Sequence, residues 1–115
     1  MAKIPNKVKK QIHTYINRVR EEWPISSVVL FGSYAQGKGR RDSDIDLAII
    51  SPRFKPVPSL KTLERLQALK WSYGPDIEPL AFNEKEFIKA GPLDFAGGVV
   101  KKDGVVVYRK KQFLL

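Results

Sequence analysis

Phe31-Gly-Ser-Tyr-Ala-Gln-Gly-Lys-Gly-Arg-Arg-Asp-Ser-Asp-Ile-Asp-Leu-Ala-Ile-Ile50 is the stretch on which the reading of this chain turns. It is preceded by Ile25 to Phe31, rich in β-branched and aromatic residues, which reads as a buried strand. Gly32 and Ser33 follow at once: glycine permits a tight turn and a close approach of an anion to the backbone, and the amides after it can form an anion-binding nest. A second strand is expected from about Asp44 to Ile50. Asp44 and Asp46 are two apart on it, so alternation puts both carboxylates on one face and Ile45 and Leu47 on the other. Two neighbouring carboxylates repel, and a divalent cation is the usual remedy; Mg²⁺ prefers one or two carboxylates together with substrate phosphates.

Working outward, a helix is expected from about Asn6 to Glu22, with Val8, Ile12, Tyr15, Ile16 and Val19 on one apolar face, Asn6 as its N-cap and Pro24 beyond its end. Residues 51–58 hold three prolines and read as a loop. Ser59 is placed to cap a second helix reaching Trp71, with Leu60, Leu63 and Leu66 on its buried side. A third strand covers Ile77 to Phe82, and Glu78 on it is available as a third acid beside the aspartate pair, with Asp76 on the same face as the fallback. Asn83 with Glu86 resembles a capping box for a short helix that Gly91-Pro92 stops. For residues 93–108 two readings stand: a hairpin at Asp103-Gly104, or a helix from Leu93 to Lys102 followed by a strand from Val105 to Tyr108. Either way the order is mixed α and β: one domain over residues 1–115, a small mixed sheet flanked by helices.

The spacing of Gly32-Ser33, Gly37 and Ser43-Asp44-x-Asp46-Leu47, with an acid on a later strand, resembles the nucleotidyltransferase superfamily of the DNA polymerase β type. The short chain is most similar to its minimal nucleotidyltransferases, prokaryotic proteins often paired with a helical HEPN partner in toxin–antitoxin modules. That resemblance implies Gly32, Ser33 and Ser43 at the nucleotide and Asp44, Asp46 and Glu78 as ligands of two Mg²⁺ ions. It implies transfer of an NMP, most often AMP, from an NTP to a protein or small-molecule hydroxyl. Arg40 and Arg41 become candidates to touch phosphate, or equally a solvated loop. The third acid is usually aspartate in that family, where this chain has Glu78.

Other readings are weaker. Gly32-x-x-x-x-Gly37-Lys38 approaches a Walker A loop, but Gly39 stands where a Ser or Thr should ligate Mg²⁺. His13 is the only histidine, so a histidine-rich metal site is excluded and a structural role is expected. Trp23, Trp71, Tyr73 and Phe82 suit a core more than a stacked base; Tyr34, directly after Gly32-Ser33, is the aromatic closest to the expected nucleotide, or else only shields the loop. Lys and Arg number 21 against 12 acids, a formal charge of +9 that attracts nucleotides, nucleic acid or an acidic partner, although no nucleic-acid-binding motif accompanies it. The terminal basic run reads first as a solvated tail and second as a partner-docking patch. The chain has no cysteine, no membrane-spanning apolar run and no leader-like stretch at Met1, which leads us to expect a cytoplasmic protein. Two further classes stay open beside an enzyme: a partner-binding or homodimeric protein on the same fold, and a nucleic-acid-binding module.

Overall fold

The computed structural model describes residues 4–40, 43–70 and 76–115. The chain forms α1 (Asn6–Glu22), β1 (Ser27–Phe31), β2 (Ile45–Ser51), α2 (Leu60–Ala68), β3 (Ile77–Asn83), α3 (Glu84–Lys89), a wide helical segment α4 (Ala96–Lys101), β4 (Val105–Arg109) and β5 (Gln112–Phe113). One mixed sheet runs in the order β3-β2-β1-β4-β5. β2 and β3 are parallel, and every other neighbouring pair is antiparallel. This is the expected small mixed sheet with helices. Trp71 and Tyr73 lie outside the described residues.

The period-3.6 face of α1 forms as the pattern dictates: Val8, Ile12, Tyr15, Ile16 and Val19 are all buried. They pack on one side of the sheet against Val28, Leu30, Ile45, Leu47, Ile49, Ile77 and Val107. The phenol of Tyr15 donates to the carbonyl of Leu66 at 2.6 Å and ties α1 to α2. The opposite face of the sheet carries Val29, Phe31, Ala48 and Ile50, covered by Val100 of α4 and by Phe82 and Phe87. β2 therefore alternates cleanly, its odd residues toward α1 and its even residues toward the α3–α4 side.

The structure corrects four details. Asn6 is the first helical residue of α1; Pro5 precedes it as the cap, with no side-chain cap bond, and its fixed φ of −58° suits that place. α2 begins as expected, with Ser59 accepting from the Thr62 amide at 3.2 Å, but it ends at Ala68. Of its three leucines only Leu66 is buried; Leu60 is 71% and Leu63 40% exposed. Periodicity located an apolar stripe on α2, but nothing among the described residues covers its outer part. Residues 93–108 follow the helix-then-strand reading, since Val100 is fully buried and Gly104 donates to its carbonyl at 2.9 Å rather than turning a hairpin.

The fourth correction concerns the terminal basic run. Arg109 pairs with Gln112 across Lys110 and Lys111, which form a two-residue hairpin loop with φ of 53° and 64°. Two residues with positive φ make a primed turn, a geometry that favours Asn-Gly and that an L side chain adopts at a cost of roughly 1–2 kcal/mol each. Replacing the pair, Lys110→Asn/Lys111→Gly, is expected to raise the unfolding free energy by about 1 kcal/mol. A chemical denaturation midpoint that stays put or falls contradicts this geometry.

Candidate active site

The loop after β1 is built by its glycines. Gly32 leaves the strand at φ 78°. The chain then curls into a turn in which the Ser33 carbonyl accepts from Lys38 N at 2.8 Å and from Gln36 N at 3.2 Å, closing at Gly37 with φ 73°. Tyr34 is buried beneath this turn and its hydroxyl donates to the Arg40 carbonyl at 2.7 Å, so it shields the loop as expected. Gly39 lies flat on the Tyr34 ring, where a Cβ would collide with it. The hydroxyl of Ser43 accepts from the Arg40 amide at 2.8 Å, and its own amide donates back to the Arg40 carbonyl at 3.0 Å. Ser43 thereby closes the loop just ahead of the acids. Arg40 is exposed on this loop. Arg41 lies outside the described residues.

The acids come from two parallel strands. Asp46 sits opposite Glu78 in the β2–β3 register. One step earlier the Ile45 amide donates to the Asp76 carbonyl at 2.8 Å, which brings Asp44 and Asp76 alongside each other. Since Ile45 and Ile77 face the core, alternation turns Asp44, Asp46, Asp76 and Glu78 to the other face. The result is a rectangle of carboxylates, Asp46 and Glu78 on the two strands and Asp44 and Asp76 just before them. Oxygens of Asp44, Asp76 and Glu78 lie within 4.8 Å of one another. Asp46 is outside that group because its Oδ2 is turned to Gly32 and fills the space that a Cβ there would need. The glycine turn and the acids thus meet at the pair Gly32–Asp46.

Electrostatics follow from this crowding. Partial burial, and then the charge of Asp44, push the Asp46 carboxyl above the ordinary carboxylate range. Glu78 is also raised, first by its hydrogen bond with Asp76 and then by burial. Asp76 moves the other way, because Lys70 and Glu78 hydrogen-bond its carboxylate. Lys70 Nζ donates to Asp76 Oδ1 at 2.9 Å and to the Ile77 carbonyl at 2.8 Å. An all-oxygen set of crowded carboxylates is the donor chemistry of a hard divalent cation such as Mg²⁺, so the residues fit that group.

Residue pattern alone put Asp44, Asp46 and Glu78 together and held Asp76 in reserve; folded, Asp76 stands in the cluster from the start. Lys70 had no motif to announce it, since its role depends on where the end of α2 meets β3. His13 does not approach the acids; its ring packs on Phe113 with centroids 4.3 Å apart. Trp23 packs edge-on against Phe54, away from the loop. Two open concavities, one between Trp23 and α2 and one between Arg20 and Tyr108, lie elsewhere on the surface. Among the described residues no helix is long and apolar enough to cross a membrane.

Residues 12–108 match the family profile described as nucleotidyltransferase domain. A relative in Methanocaldococcus jannaschii, named as a candidate protein adenylyltransferase, is 29% identical over 59 residues. That alignment takes in 51% of this chain and 58% of the relative, so the chain spans little more than half the length of the curated protein it matches. Among solved structures, a candidate nucleotidyltransferase from Sulfolobus solfataricus superposes with a TM-score of 0.65 at 18% identity, covering all of this chain and 97% of the other. A chain from a toxin–antitoxin crystal structure with AMP-PNP superposes with a TM-score of 0.55 at 21% identity, covering 90% of this chain and 75% of that one. At these identities the two structures speak for the fold alone.

Proposed function

Because the chain belongs to the nucleotidyltransferase domain family, matched over residues 12–108, we propose that it transfers an NMP, AMP foremost, from an NTP to a hydroxyl of a protein or small-molecule acceptor in the cytoplasm. The observation that carries this reading is the close approach of Asp46 to Gly32, which joins the glycine turn after β1 to the carboxylate cluster. The head of the Gly32–Gly37 turn offers the triphosphate its backbone, with the Ser33 side chain beside it and Arg40 on the same loop; Arg41 stays a candidate from the sequence alone. Ser43 contributes by fixing the loop through Arg40.

Asp44, Asp46 and Glu78 are the residues we assign to hold Mg²⁺, two ions in the full complement. Bound there, Mg²⁺ supplies charge neutralisation at the phosphates and acidity at the acceptor hydroxyl. The protein's own part is to orient and to move a proton. The acceptor oxygen forms a bond to the α-phosphorus, the bond to the bridging oxygen of pyrophosphate breaks, and pyrophosphate departs with that electron pair. The acceptor proton passes to Glu78, whose raised basicity suits a carboxylate in that role. No bond between protein and nucleotide is needed, so positioning and charge supply the rate.

A partner belongs to the same proposal. Val57, Leu60 and Leu63, 82%, 71% and 40% exposed, leave an apolar stripe on and before α2 that suits a second protein. A helical toxin of the HEPN type, for which this chain would be the antitoxin, is the partner that the likeness to a toxin–antitoxin structure supports; a second copy of the chain is the other. The same stripe also favours the alternative in which the fold only binds nucleotide or partner without turnover.

The test is incubation with α-labelled ATP, Mg²⁺ and host extract or purified partner. Label transferred to an acceptor by the wild type, and absent after Mg²⁺ is chelated, is the expected result. Transfer that survives chelation, or tight ATP binding with no transfer to any acceptor, rejects the catalytic reading.

A further inference from the structure

The rectangle of Asp44, Asp46, Asp76 and Glu78 has a cation of its own at one corner. Lys70 follows α2, where its amide is fixed to the Gln67 carbonyl at 3.2 Å. Its side chain is only 15% exposed, unlike the 51% of its partner Asp76. The ammonium makes two bonds of different kinds, one to Asp76 Oδ1 at 2.9 Å and one to the backbone carbonyl of Ile77 at 2.8 Å. A mobile surface lysine contributes little to order. Here the carbonyl bond anchors the ammonium whether or not the carboxylate is present, and it grips β3 at the residue between Asp76 and Glu78. Oxygens of Asp44, Asp76 and Glu78 lie within 4.8 Å of one another, and of these three acids it is Asp76 that Lys70 engages. Glu78 is the acid that stands directly across from Asp46.

Building on the metal reading above, we propose that Lys70 is a positioning residue: it takes Asp76 as its own counterion and leaves Asp44, Asp46 and Glu78 as the carboxylates presented to a divalent cation. The pair removes one negative charge from the rectangle before any cation arrives. Two consequences separate this from a purely structural salt bridge. Loss of Asp76 costs little cation affinity, whereas loss of Glu78 costs much. Loss of Lys70 liberates Asp76 as an extra ligand, so affinity rises, and the rise depends on Asp76.

The test is Mn²⁺ titration of the full chain without nucleotide, read by electron paramagnetic resonance, with a thermal melt of each variant as the folding control. Glu78→Gln is expected to weaken Mn²⁺ binding about tenfold or more, and Asp76→Asn by less than about threefold. Lys70→Met is expected to tighten binding by roughly threefold, a gain that disappears in Lys70→Met/Asp76→Asn. Lys70→Arg, which keeps the charge, is expected to match the wild type and serves if Lys70→Met folds poorly. Asp76→Asn weakening binding as much as Glu78→Gln overturns the proposal, as does a Lys70→Arg variant that binds Mn²⁺ more tightly. A wild type that binds no Mn²⁺ with or without ATP overturns the metal reading itself and this inference with it.

Discussion

Asp44→Asn/Asp46→Asn is expected to abolish Mg²⁺-dependent binding of ATP, a loss of at least about 100-fold in affinity, or about 3 kcal/mol, by calorimetric titration. Both carboxylates disappear from beside the Gly32 turn, and neither Asp76, paired with Lys70, nor Glu78 alone replaces them. The same variant is expected to melt no lower than the wild type. The Asp46 carboxyl is raised by burial and by Asp44, so the folded protein holds its proton more tightly than the unfolded chain does. Folding is therefore favoured as pH falls through the folded value toward the unfolded one, and at neutral pH ionised Asp46 opposes folding. Removing that charge removes the penalty. A double variant that binds Mg-ATP like the wild type sinks the assigned site; one that unfolds sinks the electrostatic argument.

Gly32→Ala is the second large effect. Its φ of 78° lies where an L side chain costs about 1–2 kcal/mol. The new Cβ would also run into Asp46 Oδ2, so either the loop or the carboxylate has to move. Each kcal/mol lowers the melting temperature of a domain near this size by roughly 4–8 °C, and the melt is expected to fall by at least that much. Nucleotide binding is expected to be lost even at temperatures where the variant is folded, because the contact joining phosphate loop and acids is the one displaced. Gly91→Ala is the matched control, since nothing lies within 4 Å of a Cβ there. Equal effects at the two glycines would mean that Gly32 serves the fold alone.

How much of this was legible in the chain depends on the range of the interaction. The run from Phe31 to Ile50 could be read because its requirements are local: a glycine at a strand end and acids two apart on a strand that alternates. Asn83 was readable for the same reason, its side chain accepting from the Glu86 amide three residues on at 3.0 Å. Leu60 and Leu63 misled because periodicity defines an apolar face without saying whether anything packs on it. The β4–β5 hairpin escaped because Lys110 and Lys111 adopt positive φ without the glycine or asparagine that normally marks such a turn. Lys70 was invisible because its bonds to Asp76 and Ile77 arise only where the end of α2 meets the start of β3. Parallel pairing of β2 and β3 likewise set the choice between Glu78 and Asp76 beyond any local signal: alternation put both on one face, and only the register sets Glu78 across from Asp46.

The placing of β3 carries one more consequence. It is the last strand on its side of the sheet, laddered to β2 alone, and Pro79 in its middle has no amide to give. Two of the four carboxylates stand on this margin, Glu78 in β3 and Asp76 just before it, while the other two stand on or just before the interior strand β2. Fraying begins at sheet margins, and mutual repulsion of the acids pushes the two strands apart. A cation lodged between them reverses the sign of that force and works as a clasp across the seam. With Mg²⁺ bound as proposed, occupancy and local order are expected to rise and fall together, so that an edge that breathes without the ion is sewn shut with it.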